Sequence, residues 1–222
     1  MKTNRVMKDE ALASLKGNWP QAVLATFLLM LVTAVFEIPY FSVAFRMSPG
    51  WTPSLFDRSL STAAWLVMLL VVLPLEAGLS NALRILLTNG DNNLVSNEFK
   101  IAFANWLHNA WTLLLRSVCV MLWTVLLIVP GVVKGLAYDM TDFIMVEEPS
   151  LTAYQAMKKS EVMMKGHKTR LFLLYLGMVG WALLSVLTLG LGLLWFIPYI
   201  YTTRAAFYES LKAEAGINRV DY

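Results

Sequence analysis

Cysteine is almost missing from this chain. Cys119 stands alone, which excludes an internal disulfide framework and says nothing of redox compartment. Histidine is nearly as scarce. His108 and His167 lie far apart without cysteine neighbours, so no metal centre is expected, and no cofactor either. The motifs G-x-x-x-x-G-K-[ST], H-E-x-x-H and G-x-S-x-G do not occur. Ser117 and Ser185 have no evident base, and the chain is expected not to be an enzyme. Charge is also low, at 15% of 222 residues, where soluble domains carry roughly a quarter.

What fills the space is apolar. Hydrophobic residues make up 58% of the chain, and the mean hydropathy is +0.59. A soluble domain of this length has too much surface to hide so much apolar area. An integral membrane protein follows. Eight Trp and eight Tyr suit a bilayer with two interfaces. The net charge of +3 is modest and does not point to nucleic acid. No small-x-small cleavage site follows the first apolar run, so that run is expected to be a retained span.

A span needs about 20 apolar residues to cross roughly 30 Å of hydrocarbon. Residues 22–45 and 62–83 each suit one. Residues 111–146 and 171–203 are too long, since either would reach about 50 Å as a helix. Each carries breakers near its middle, Pro130-Gly131 in one and Gly190-Leu191-Gly192 in the other. Each therefore predicts a tight hairpin, with Pro130-Gly131 itself as the turn. The expected fold is all-α: a polytopic membrane helical bundle of about six spans, at 22–45, 62–83, 111–129, 131–146, 171–189 and 192–206. With both termini cytoplasmic, only Arg46, Arg58 and Lys134 fall outside and Arg116 falls within a span. The other 14 of the 18 basic residues lie inside, as the positive-inside rule expects.

Three stretches read as interfacial amphipathic helices on the cytoplasmic side. In 6–18, Met7, Ala11 and Leu15 recur four apart. In 97–107, Phe99, Ala102, Phe103 and Trp106 share a face. In 151–165, Leu151, Tyr154, Met157 and Met164 oppose a basic face of Lys158, Lys159 and Lys165, with Ser150 as the expected N-cap. Such helices suit anionic lipid headgroups. Gly177 and Gly180 are expected to allow close helix approach. No repeat of fixed period is evident.

Charges at membrane depth are costly and usually face the bundle interior. Measured from Gly131, Arg116 lies about 15 residues before and Asp142 about 11 after, so both sit roughly 17–22 Å below the outer surface. Asp139 shares a face with Asp142. Glu76 and Arg204 fall at a similar depth. Three acids, Glu76, Asp139 and Asp142, are thus expected to meet Arg116 and Arg204 in one layer, with Glu37 and Lys134 nearer the outside. That layer is either a set of structural ion pairs or a binding site for a polar ligand, an ion or a lipid headgroup.

Three stretches together carry a resemblance: "ALASLKGNWPQAVLATFLL", "LLIVPGVVKGLAYDMTDFIMVEEPSLTAYQAMKKSEVMMKGHKTRLFLLYL" and "LTLGLGLLWFIPYIYTTRAAFYESLKAE". They resemble the bacterial domain of unknown function 975 family, polytopic inner-membrane proteins. The middle stretch is also faintly similar to the membrane region of some glycerophosphodiester phosphodiesterases, a likeness from which no phosphodiesterase activity is expected. The resemblance implies six spans and a bacterial cytoplasmic membrane, and supplies no activity or site residues. The expected function is a membrane-embedded scaffold or accessory subunit that binds lipid or a partner membrane protein. The alternative is a transporter or channel for a small polar solute or lipid, working through the charged layer.

Overall fold

The computed structural model describes residues 2–45 and 54–220. Arg46 lies outside the described residues, as do the side chains of Pro39, Arg58 and Arg219. Every regular element among the described residues is helical. Four helical stretches are long and apolar enough to cross a membrane: Trp19–Glu37, Leu66–Asn89, Trp106–Leu126 and Lys168–Leu187. The protein is a helical membrane bundle.

The chain is built from three similar units. Each begins with a short amphipathic helix, continues into a long apolar helix, and returns along a third. The first unit is α1 (Asn4–Leu15), α2 (Trp19–Phe45) and α3 (Leu55–Asn89). The second is α4 (Leu94–Ala104), α5 (Trp106–Leu126) and a broken return made of α6 (Ile128–Ala137) and α7 (Thr141–Glu147). The third is α8 (Ala153–Met163), a span interrupted between α9 (Lys168–Leu176) and α10 (Val179–Leu187), and α11 (Leu193–Val220).

Burial follows one register in all three. The short helices bury Met7, Ala11 and Leu15; Leu94, Glu98 and Ala102; and Ala156, Ser160 and Met164. At matching positions the next helices bury Ala22 and Ala25, then Asn109 and Thr112, then Leu171 and Leu174. Gly17 and Gly166 close the first and third short helices with φ of +87° and +86°, a left-handed conformation that glycine adopts without steric cost. No fixed repeat is visible in the sequence because each shared position holds residues of different size and polarity, as Ala11, Glu98 and Ser160 do.

The units close into a ring. α4 packs on α3, α8 on α6 and α7, and α1 on α11. The returning helices of the three units therefore meet inside. Arg84 on α3 pairs with Glu147 on α7 at 2.6 Å and Glu209 on α11 at 3.0 Å. One turn deeper, Asn81 Nδ2 donates to the Asp142 carbonyl at 3.1 Å.

Several local expectations shift. The α5–α6 reversal is at Leu127, whose extended φ of −156° caps both helices. Pro130 and Gly131 instead lie in the first turn of α6, where a missing N–H costs nothing because those donors have no partner in the helix anyway. A Cβ on Gly131 would collide with Thr124 of α5, so this glycine permits close approach rather than the turn. The second hairpin reverses where expected, through Leu189 at φ +55° and Gly190 at φ +85°. Gly180 faces open space, and Gly177 ends α9, accepting through its carbonyl from Lys8 Nζ at 3.2 Å. The α8 cap is Thr152 in a capping box with Gln155, not Ser150. Residues 131–146 form two helices, interrupted between Ala137 and Thr141.

The faces of α4 and α8 also turn from expectation. Phe103 and Trp106 are exposed while Glu98 is buried; on α8, Tyr154 is exposed and Ala153, Ala156 and Ser160 are buried. Packing against α3, where Gly78 abuts the Glu98 backbone, overrides the apolar pattern of α4. Inside α3, Pro74 cannot donate to the Leu70 carbonyl, and the Trp106 indole does so instead at 2.7 Å.

Candidate functional site

The break between α6 and α7 sets up the central site. The Tyr138–Met140 turn directs Asp139 and then Asp142 toward α11. Ser160 of α8 holds this turn, donating to the Ala137 carbonyl at 2.8 Å and accepting from the Met140 N–H at 3.2 Å. Arg204 comes from the middle of α11 and is buried, with its guanidinium 5.0 Å from the Phe143 ring centroid.

All of its nitrogens are engaged. Nε donates to Asp139 Oδ2 at 2.8 Å, one terminal nitrogen to Ser80 Oγ at 3.2 Å, and the other to Asp142 Oδ1 at 2.5 Å and the Asp139 carbonyl. Asp139 receives more: Tyr175 O–H donates to Oδ2 at 2.7 Å, and Arg116 approaches Oδ1 at 3.4 Å. Four charges, from α5, the α6–α7 turn, α7 and α11, thus meet. Breaking such a buried pair on one side leaves an uncompensated charge and costs about 3–5 kcal/mol.

Beside this cluster is a cavity of about 600 Å³, within the usual range for small-ligand sites. Glu76, Arg116, Asp139, Asp142 and Arg204 all line it, together with Tyr175, Tyr201 and Ser117. The structure therefore brings the five charges of the expected layer to one place. Their roles differ. Asp139, Asp142 and Arg204 are held by one another. Glu76 lies between buried Leu75 and Ala77, yet its own side chain is exposed to the cavity. Among the described residues it accepts no hydrogen bond and joins no ion pair.

Tyr175, Tyr201 and Ser80 escaped the sequence reading. Tyr175 lies between two leucines, Ser80 beside Asn81 and Tyr201 beside Thr202, and scattered polar residues of this kind also occur at core positions. Only Tyr175 left a trace, because residues 171–187 carry no charge and it is the one tyrosine among them.

The basic face of α8 is less available than its sequence implies. Lys158 pairs with Glu161 at 3.1 Å and Lys159 pairs with Glu148, leaving Lys165 exposed. Glu161 also pairs with Lys134 at 2.6 Å, and that bond holds its carboxyl below the usual carboxylate range. Lys134 and α8 therefore meet, so α8 rises beside the α6–α7 break instead of lying apart from the spans. Glu37 is half-buried in α2 and is not among the residues lining the cavity.

A family model described as "Protein of unknown function (DUF975)" matches residues 94–215. The matched segment covers more than half of the chain and holds Arg116, Asp139, Asp142 and Arg204, while Glu76 precedes it. No curated protein and no solved structure matches.

Proposed function

We propose, starting from the fact that this chain belongs to the DUF975 family of proteins of unknown function, that it is a non-enzymatic, multi-pass protein of a bacterial cytoplasmic membrane that binds a polar ligand within the bundle. The distribution of Lys and Arg favours both termini on the cytoplasmic side. The observation that carries the reading is Glu76: an exposed carboxylate with no hydrogen bond or ion pair of its own among the described residues, in a cavity whose other carboxylates are already paired. A purely structural ion-pair core would have no use for that space, and an ionisable residue at membrane depth is a default functional candidate. Carriage of the bound solute or lipid across the membrane is the natural use of such a site.

The scaffold reading, in which the α8 lysines meet anionic lipid or a partner membrane protein, has weaker support. Two of its three lysines are held in ion pairs.

The test is native mass spectrometry of the full chain extracted gently from its own membrane. The reading expects a retained small molecule or lipid that is lost in Arg116→Gln. A bare protein mass, identical in the variant, would sink it. A retained partner protein, lost when Lys158, Lys159 and Lys165 are neutralised, would replace it with the scaffold.

A further inference from the structure

The ligand's chemistry follows from what the cavity walls leave unused. Arg204 spends four of its five N–H donors within the cluster, and both Asp139 oxygens are occupied. Glu76 and Arg116 retain the most capacity, beside one Asp142 oxygen and one Arg204 N–H. Glu76 has no hydrogen-bond or ion-pair partner among the described residues. Arg116 makes one contact, at 3.4 Å through a single terminal nitrogen, well beyond the roughly 2.7–2.9 Å of a charge-assisted hydrogen bond.

Charge balance points the same way. Three carboxylates face two guanidinium groups around the cavity, so the walls lack one positive charge. A carboxylate at membrane depth is favoured by a balancing cation, and the two guanidinium groups within electrostatic reach of Glu76 are shared with Asp139 and Asp142. We infer, resting on the reading that this cavity binds a ligand, that the ligand is a zwitterion whose ammonium group pairs with Glu76 and whose anionic oxygens pair with Arg116. Tyr201, on the same cavity wall, adds an aromatic face of the kind that attracts ammonium groups.

The route of entry narrows the source. On α5 the cavity is lined by Ser117, Val120 and Met121. Met121 is exposed together with Val118, Leu122 and Val125, all apolar and on the outside of a span. The cavity wall is therefore continuous with a surface that meets hydrocarbon, which suits an amphipath with a phosphoethanolamine head group. A free zwitterion presents the same pair of charges, and experiment separates the two sources.

The full chain is placed in nanodiscs of phosphatidylglycerol with or without phosphatidylethanolamine, and bound lipid is read by native mass spectrometry. Phosphatidylethanolamine should be retained in preference to phosphatidylglycerol, and Glu76→Gln should weaken that preference about tenfold, as expected when a charged hydrogen-bond partner is removed. N-acetylated phosphatidylethanolamine, which keeps the phosphate but has no ammonium, should not be retained, so the test does not depend on the variant folding. Soluble phosphoethanolamine that raises the thermal midpoint in detergent would identify a free solute as the source. No such rise, with lipid retained, would identify the bilayer. Equal retention of phosphatidylglycerol, or of the N-acetylated lipid, would overturn the zwitterion while leaving a binding cavity. Retention of no ligand of any class would overturn the binding reading itself.

Discussion

At the scale of single residues, Glu98 and Arg204 show two outcomes for a buried charge. Glu98 is fully buried on α4, outside the membrane-spanning helices, and neither carboxylate oxygen has a partner. Loss of hydration alone raises its pKa from 4.5 to about 8. The unfolded chain releases this proton near 4.5 while the folded protein holds it to about 8. Stability from this residue is therefore complete below about 4.5 and is lost as pH rises to about 8, by an amount of the order of a few kcal/mol. Thermal unfolding in detergent should show a midpoint that falls across this range, with the slope largely removed in Glu98→Gln. A wild-type midpoint flat across the same range would contradict it. Arg204 is the opposite case, buried but held by two aspartates, a serine and a backbone carbonyl. Arg204→Gln should lower stability by about 3–5 kcal/mol, whereas Asp142→Asn, which keeps an acceptor oxygen, should lower it less. Equal midpoints for Arg204→Gln and wild type would show that the cluster does not hold the bundle together.

At the scale of elements, the α5–α6 hairpin separates what a motif announces from what it does. Pro130-Gly131 signals a reversal in an apolar run, and a reversal is present three residues earlier, at Leu127. The reason is steric. A proline fits the first turn of a helix better than most residues do, so Pro130 sits in the first turn of α6 and the chain bends before it. Gly131 then lets α6 lie directly on Thr124. Gly131→Ala should destabilise the hairpin by roughly 1–3 kcal/mol through overpacking. Thr124→Ser should not rescue it, because the added methyl also meets the Thr124 backbone. An unchanged midpoint in Gly131→Ala would mean that the two helices separate readily. The same contrast explains α4. Periodicity located the helix to within three residues, but its buried face was decided by α3, which contributes Gly78 and draws Glu98 inward.

At the scale of the whole molecule, ring closure by α1 on α11 makes a short amphipathic helix a structural member rather than a surface attachment. The Lys2 N–H donates to Ser210 Oγ at 2.9 Å, Asn4 Nδ2 donates to the Arg170 carbonyl at 3.1 Å, and Met7, Ala11 and Leu15 are fully buried. A Lys2→Cys, Ser210→Cys pair, in a Cys119→Ser background, should therefore crosslink readily with a short bifunctional reagent in the folded protein. Crosslinking no faster than after unfolding would show the ring to be open. Much of this molecule was set by sequence alone. Apolar run length dictates a membrane bundle, because hydrocarbon accepts only chain segments whose backbone groups are satisfied internally. Counting residues along helices of fixed rise put Glu76, Arg116, Asp139, Asp142 and Arg204 at a similar level, although the count started at Gly131 rather than at Leu127. Their meeting in one layer was legible for the same reason. Which of them pair was not: partner choice depends on helix rotation and on the α6–α7 break, neither of which leaves a periodic signal. The three-unit ring was equally hidden, because equivalent positions need only fit their own neighbours and not resemble one another. Tertiary packing alone decided that Arg204 holds both aspartates and that Glu76 is left facing an open cavity.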